Sequence, residues 1–303
     1  MAKKKTYNMN RVKPLTNVLF NIMYIILAAC AILPFIYVFI ISISSKASIA
    51  SVGYSIFPTE LSADAYGILW NERSTIFHAF FISVTVTVLG TLIGLILQTT
   101  MGYSLSRPNF KLKGFYTWVI FIPMLFSGGL VASYVVNANI LGLRDRIWVL
   151  ILPLAVSSYN IVICKTFFKS SIPEGIVESA VIDGASQLRT FVSIIIPISK
   201  PLLATIGLFL CFGYWNDWFL SSLYISKNNL ISLQALLNNI LRSIEYIANN
   251  PQIGLSLEQY KAQLPSETVR MAIAVVIVIP IACAYPFFQR YFISGLTIGA
   301  VKG

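Results

Sequence analysis

SIPEGIVESAVIDGASQLRTFVSIIIPISKP, residues 171–201, is too polar for lipid and too patterned for a simple turn, and the rest of the chain is arranged around it. Glu174, Glu178, Asp183, Arg189 and Lys200 keep it out of the hydrocarbon core, where ionised side chains are expensive. Ser171-Ile172-Pro173-Glu174 has the spacing of a capping box with proline in the first turn, which predicts a helix starting here. Ile176, Val177, Ala180 and Val181 recur three or four apart, so one face is apolar, and Gly184 supplies the stop. A second helical run is expected from about Ser186 to Pro197. A short helix with an apolar face edged by acids, held between two membrane spans, suits docking into a groove on another protein. The alternative is a helix resting on lipid headgroups. Against it counts the acidic first half, since surface helices that bind lipid are rich in Lys and Arg.

The flanks of this stretch are hydrocarbon-like. Hydrophobic residues make up 57% of the 303 and charged residues 11%, with mean hydropathy +0.77, against roughly 45–50% and 25% in soluble domains. Six apolar stretches, at about 17–41, 75–101, 115–136, 147–164, 202–224 and 269–293, are each long enough to cross about 30 Å of lipid as a helix. The fold class is all-α: a polytopic membrane protein with six transmembrane helices, a short tail at 1–16 and a single membrane domain at 17–303. Leu27-Ala28-Ala29-Cys30 matches a lipoprotein cleavage box, which makes a cleaved signal peptide a rival for the first span. Residues Ala31 to Ile41 stay apolar where a lipid-anchored protein would carry a polar tether, so an uncleaved helix is expected.

Basic residues orient the spans. With a cytoplasmic N-terminus, Lys3, Lys4, Lys5, Arg11, Lys13, Arg107, Lys111, Lys113, Lys165, Lys169, Arg189, Lys200, Arg290 and Lys302 fall on the cytoplasmic side. Only Glu174, Glu178 and Asp183 oppose them there, so that side carries the whole net charge of +11. This is the positive-inside pattern, and it puts both termini and the 171–201 loop in the cytoplasm. The basic balance therefore speaks of topology. No basic helix or aromatic-interleaved motif supports nucleic-acid binding.

Cys30, Cys164, Cys211 and Cys283 lie within or at the ends of apolar spans, with no metal-ligand spacing. His78 is the only histidine and reads as interfacial, so metal clusters and histidine proton relays are not available. Among the outward segments, 42–74 is serine-rich and long enough for short surface helices, and 137–146 is a tight connection. The segment 225–268 is longest, with a helix-like run from Leu233 to Ile247, and is either a partner-binding surface or a passive linker.

Polar and aromatic residues inside spans mark a candidate path. Tyr214-Trp215-Asn216-Asp217-Trp218-Phe219 lies in the outer half of the fifth span, and Ser157-Ser158-Tyr159-Asn160 follows Pro153, which should bend the fourth. Aromatic faces beside amides or carboxylates suit a sugar, whose C–H face needs covering and whose hydroxyls need partners. An interfacial aromatic belt is the alternative, although Asp217 near lipid needs a reason. Phe126-Ser127-Gly128-Gly129-Leu130 breaks the third span, either for close helix packing or as an unwound point beside the path.

Glu178-Ser179-Ala180, Asp183-Gly184-Ala185, Phe191, Ile195, Pro197 and Pro201 at this spacing resemble the EAA loop of the permease subunits of bacterial ABC importers, in particular the sugar branch. Ser179 departs from the family's alanine by a small-for-small change. Over roughly residues 75–295 the chain is similar to the second permease of maltose-type importers, and FSGGL resembles a pattern of permeases for complex oligosaccharides. The resemblance implies a type I ABC importer permease fold in the bacterial plasma membrane. It implies a second homologous permease, an ABC ATPase dimer docked on the loop, and an extracellular sugar-binding lipoprotein reached by the 225–268 segment. It assigns Glu178, Ser179, Ala180, Asp183, Gly184 and Ala185 to the ATPase contact, and leaves Tyr159, Asn160, Tyr214, Trp215, Asn216, Asp217, Trp218, Gly128 and Gly129 as the candidate path. No G-x-x-x-x-G-K-[ST] occurs in this chain, so ATP and Mg would be bound by the partner ATPase and the chain itself is not an enzyme. An ion-coupled transporter would need a buried acid besides Asp217, and a membrane enzyme a nucleophile or metal constellation; neither pattern is present. Within the importer reading the cargo is an oligosaccharide, the alternative being another polar solute such as a polyol or glycerol phosphate.

Overall fold

The computed structural model describes residues 14–249 and 267–300, and among them helix is the only extended regular structure, with one isolated bridge between Ser44 and Leu61. In chain order the helices are α1 (Pro14–Ser42), α2 (Lys46–Val52), α3 (Asp64–Asn71), α4 (Arg73–Ser106), α5 (Lys113–Leu125), α6 (Gly129–Tyr134) running into a π-helical turn (Val135–Ile140), α7 (Trp148–Ala155) and α8 (Ser158–Ser171). Then come α9 (Glu174–Ile182), α10 (Gln187–Thr190), a π-helical turn (Phe191–Ile195), α11 (Ile196–Ile198), α12 (Lys200–Trp215), α13 (Phe219–Tyr224), a 3-10 turn (Asn228–Leu230), α14 (Leu233–Asn249) and α15 (Glu267–Ala300). The end of the predicted outer segment, 250–266, lies outside the described residues, as does the tail 1–13.

Among the described residues three helices are long and apolar enough to cross a membrane unaided: α1, α4 and the Glu267–Pro286 part of α15. The other three expected spans are interrupted. The third stops at Leu125 and restarts at Gly129, whose φ of +79° is a left-handed conformation that glycine adopts without penalty. Nothing lies within 4 Å of a Cβ added at Gly129, so this pair unwinds the span and does not serve close packing within the chain. In the fourth, α7 and α8 meet at 47° across Val156 and Ser157, so Pro153 sits inside α7 and the bend falls later than proline alone predicts. The fifth breaks at Asn216-Asp217-Trp218, a break that its apolar run conceals.

Residues 1–70 with 263–276 form one compact unit, and 71–262 with 277–303 another. Within the first, Ile41, Ala65, Val269, Ala272 and Ile273 are buried, and the Ser42 and Tyr66 hydroxyls share a hydrogen bond of 2.8 Å. The second is built on α4, which packs against α7, α8 and α12 around Val149, Ile151, Cys164, Phe168, Ile195 and Ile206, all essentially without exposure. Gly90, Gly94 and Gly102 follow one another at helical spacing on the packed face of α4, which lets the neighbours approach closely. His78 of α4 lies 2.8 Å through Nε2 from the Asn229 carbonyl and so meets the turn after α13.

The connection 141–147 is tied to the end of α13 by one carboxylate. Asp145 has φ +56°, and its Oδ1 accepts from the backbone N–H groups of Ser226 at 2.6 Å and Lys227 at 3.2 Å, while its own N–H donates to the Tyr224 carbonyl at 3.2 Å. Asp145→Ala keeps the unfavourable backbone and loses both hydrogen bonds to Oδ1. It is expected to destabilise the purified protein by about 1–2 kcal/mol and to speed proteolysis at 225–232, both read against wild type.

Candidate functional site: the loop helix and the broken spans

The 171–201 stretch folds as two short helices, as its pattern predicts, but begins differently. Ser171 is the last residue of α8, Pro173 stands at the N-cap of α9 without a side-chain bond, and no capping box forms. The C-terminal end is as expected. Gly184 has φ +77°, its N–H donates to the Val181 carbonyl at 3.0 Å, and the Ala185 N–H reaches the Ala180 carbonyl at 2.9 Å. That pair of bonds is a Schellman stop, and the left-handed residue it needs is most cheaply glycine. Ser186 then caps the next helix, accepting from Arg189 N–H at 3.3 Å.

Residues of α9 divide between two faces. Ala180 is buried and Val177 packs on the main core, whereas Val181, Ile182 and Leu188 are exposed beside Glu174, Glu178 and Asp183. Ile182 is 84% exposed, an unusual amount for isoleucine, so the loop presents an apolar tip edged by carboxylates. Val181, Ile182 and Leu188 form one side of a groove of about 950 Å³ between α9 and the end of α4, whose other side includes Tyr103, Arg107 and Phe110. Its wall is rigid. The Tyr103 and Phe191 rings are 4.8 Å apart, and the Arg107 guanidinium lies 4.8 Å over Tyr103 while donating to the Phe168 carbonyl at 3.2 Å. Sequence reading passed over Tyr103 and Arg107, because their partners are about 60 and 90 residues away in the chain.

At the loop's far end the chain turns sharply. The helical segment Gln187–Ile198 and α12 differ in direction by 84° and are joined by Ser199 alone. Ser199 is fully buried, and its hydroxyl donates back to the Ile195 carbonyl at 2.7 Å.

The candidate path residues have separate fates. Tyr214 and Trp215 are buried, and their polar atoms tie helices together: Tyr214 OH donates to the Ile151 carbonyl at 2.7 Å and Trp215 Nε1 to the Ile277 carbonyl at 3.3 Å. Asp217 accepts from the Leu220 N–H at 3.2 Å, one of the unpaired donors at the start of α13, which gives this carboxylate a local structural reason. Asn216 bonds its own helix at the Phe212 carbonyl, 3.0 Å away. Trp218 is part-exposed with one face under the Arg242 guanidinium at 5.3 Å, so that face is occupied. Tyr159, Gly128 and Gly129 are accessible, and Asn160 is buried one turn into α8. Among the described residues no group of His, Cys, Asp and Glu side chains converges as a metal site.

The loop helix with its exposed acid-edged tip lies between apolar segments of span length, and comparison with known proteins gives this arrangement a family. Residues 90–298 match the family described as binding-protein-dependent transport system inner membrane component. The chain belongs to this family. The inner membrane component described here is 36% identical over 275 residues to Protein LplC of Bacillus subtilis, covering 91% of this chain and 90% of that one. It is equally 36% identical, over 276 residues, to the polygalacturonan/rhamnogalacturonan transport system permease protein YtcP of Bacillus subtilis, covering 91% and 94%. Its structure matches the crystal structure of a bacterial ABC transporter involved in the import of the acidic polysaccharide alginate, with TM-score 0.77, 27% identity, and coverage of 92% and 96% of the two chains. It is thus a multi-pass membrane permease of the ABC importer class.

Proposed function

We propose that this chain is one of two paired permeases in an importer that moves an oligosaccharide inward at the cost of ATP. The observation that carries the reading is the tip of the loop: exposed Val181 and Ile182 of α9 and Leu188 of α10, edged by Glu174, Glu178 and Asp183, with α9 closed by the stop at Gly184. An apolar face that water does not favour needs a partner, and the family supplies one in a separate ATPase. Glu178, Ser179, Ala180, Asp183, Gly184 and Ala185 form that contact. ATP and Mg belong to the ATPase, the second permease completes the path, and an extracellular binding protein delivers cargo on the side of α14. Both termini and the 171–201 loop are cytoplasmic, as the basic residues direct.

Oligosaccharide is favoured because YtcP by its name transports polygalacturonan and rhamnogalacturonan, and the alginate transporter imports a polysaccharide. In this chain the accessible candidates for cargo contact are Tyr159, Asn216, the free side of Trp218, and the unwound Gly128-Gly129.

The test is uptake of labelled neutral and acidic oligosaccharides by cells with and without the gene for this chain. Uptake is expected to disappear without it, to need ATP, and to leave the corresponding monosaccharides unaffected. Uptake driven by an ion gradient with ATP depleted would sink the importer reading. Purification in mild detergent should bring with the chain a P-loop ATPase and a second permease.

A further inference from the structure

The break in the fourth span has no loop of its own to hold it open. α7 ends at Ala155, Val156 is extended at φ −123° and ψ 116°, and Ser157, extended as well, caps α8. Ending a helix inside a span strands its last carbonyls where there is little water to satisfy them. One of these carbonyls is met from another helix. The Gln98 Nε2 of α4 donates to the Ala155 carbonyl at 2.8 Å, and Gln98 has no exposed surface at all. One turn earlier on α7, the Ile151 carbonyl takes the hydroxyl of Tyr214 from α12. The bend is therefore held from two sides by side chains that reach into it.

The packing of α4 is shaped to this contact. A Cβ added to Gly94, one turn before Gln98, would stand 3.1 Å from the same Ala155 carbonyl and 2.9 Å from Leu210. The oxygen of the Gln98 amide is buried without a partner. If Gln98 served packing alone, an apolar side chain of similar shape would fill the space without stranding that oxygen.

We propose that Gln98 is a positioning residue for transport: its amide holds the bend of the fourth span at Ala155 and so sets where the accessible Tyr159, in the first turn of α8, stands along the path. The role of the path rests on the importer reading above. The bend itself does not.

The test compares Gln98→Met, which keeps the length and removes the donor, with Gln98→Glu, which as a neutral acid keeps one donor. Both are made in the intact importer in membrane vesicles. Uptake is measured against cargo concentration, and the α7–α8 geometry by the distance between spin labels at Trp148→Cys and Lys169→Cys in a background without the four native cysteines. For Gln98→Met, Vmax is expected to fall about fivefold, the equivalent of one buried hydrogen bond, with KM little changed and the label distance lengthened as the bend opens. Gln98→Glu is expected to stay close to wild type in both. Wild-type uptake and distance in Gln98→Met, or equal impairment of the two variants, would overturn the proposal and leave Gln98 a packing residue. If Gln98→Met does not accumulate, Gln98→Asn, whose donor is drawn back by one methylene, takes its place. Should neither accumulate while Gln98→Glu does, the bond holds only the fold, and the positioning role is overturned. If the wild-type importer carries no oligosaccharide, the cargo reading fails, and the label distances still decide whether Gln98 sets the bend.

Discussion

Gly184→Val is expected to lower uptake by the intact importer about tenfold while the chain still inserts and its spans stay packed. At φ +77° a β-branched residue pays the left-handed penalty of roughly 1–2 kcal/mol or more, and the backbone can escape only by giving up the Schellman bonds at Val181 and Ala180. Steric crowding plays no part, since a Cβ at Gly184 meets nothing within 4 Å. The loss therefore falls on the path of the chain from α9 to α10 and on the angle at which the Ile182 tip is presented. Asparagine tolerates this backbone region better, so Gly184→Asn should retain most of the activity. Measuring uptake and ATPase copurification for both variants separates the backbone effect from simple loss of protein. Equal uptake by the valine variant and wild type would remove the loop from the coupling role.

Gly102→Val is expected to have the largest effect on the fold. Its Cβ would overlap the Cβ of Cys164 and lie 3.0 Å from the Lys165 backbone nitrogen, and these are atoms of α8 with no rotamer by which to retreat. α4 and α8 would have to separate along a seam that also holds Phe168 and Tyr103. Overpacking of this kind costs about 1–3 kcal/mol or more, which corresponds to roughly 2–5 °C in unfolding midpoint for a chain of this size. Thermal unfolding in detergent, read by size-exclusion fluorescence, checks it. Gly213→Ala, on α12 with open space around its Cβ, is the control and should shift the midpoint little.

Much of this could be read from the chain because lipid imposes strict terms. Apolar runs of span length, basic residues on one side and an amphipathic loop with a glycine stop each follow from local composition, and α1, α4, α9 and α14 lie close to where those signals put them. What stayed hidden depends on contacts distant in sequence. Pro153 drew attention as the cause of the bend in the fourth span, yet the bend falls at Val156, where Gln98 from 57 residues earlier meets the Ala155 carbonyl. Asp217 stood out as a carboxylate beside lipid, whereas its partner is the Leu220 N–H, visible only once the fifth span is known to break there. Ser171 has the spacing of a cap, but α8 runs on to include it, since nothing between Lys165 and Ser171 ends a helix. The accessible part of the path is thus smaller than the aromatic cluster suggests, because Tyr214 and Trp215 have turned their polar atoms to backbone carbonyls.

The corner at Ser199 has a mechanical meaning. With Ser199 alone between the helical segment and α12, and with that serine buried, the two are joined as arms of a crank. The sixteen residues of α12 make an arm of about 24 Å, so a rock of about 5° at Ser199 swings the Trp215 end through about 2 Å. Such a joint has no slack in which a push on the loop could be absorbed. Inserting a flexible glycine pair there is expected to uncouple the two ends without altering any residue of the proposed ATPase and cargo contacts.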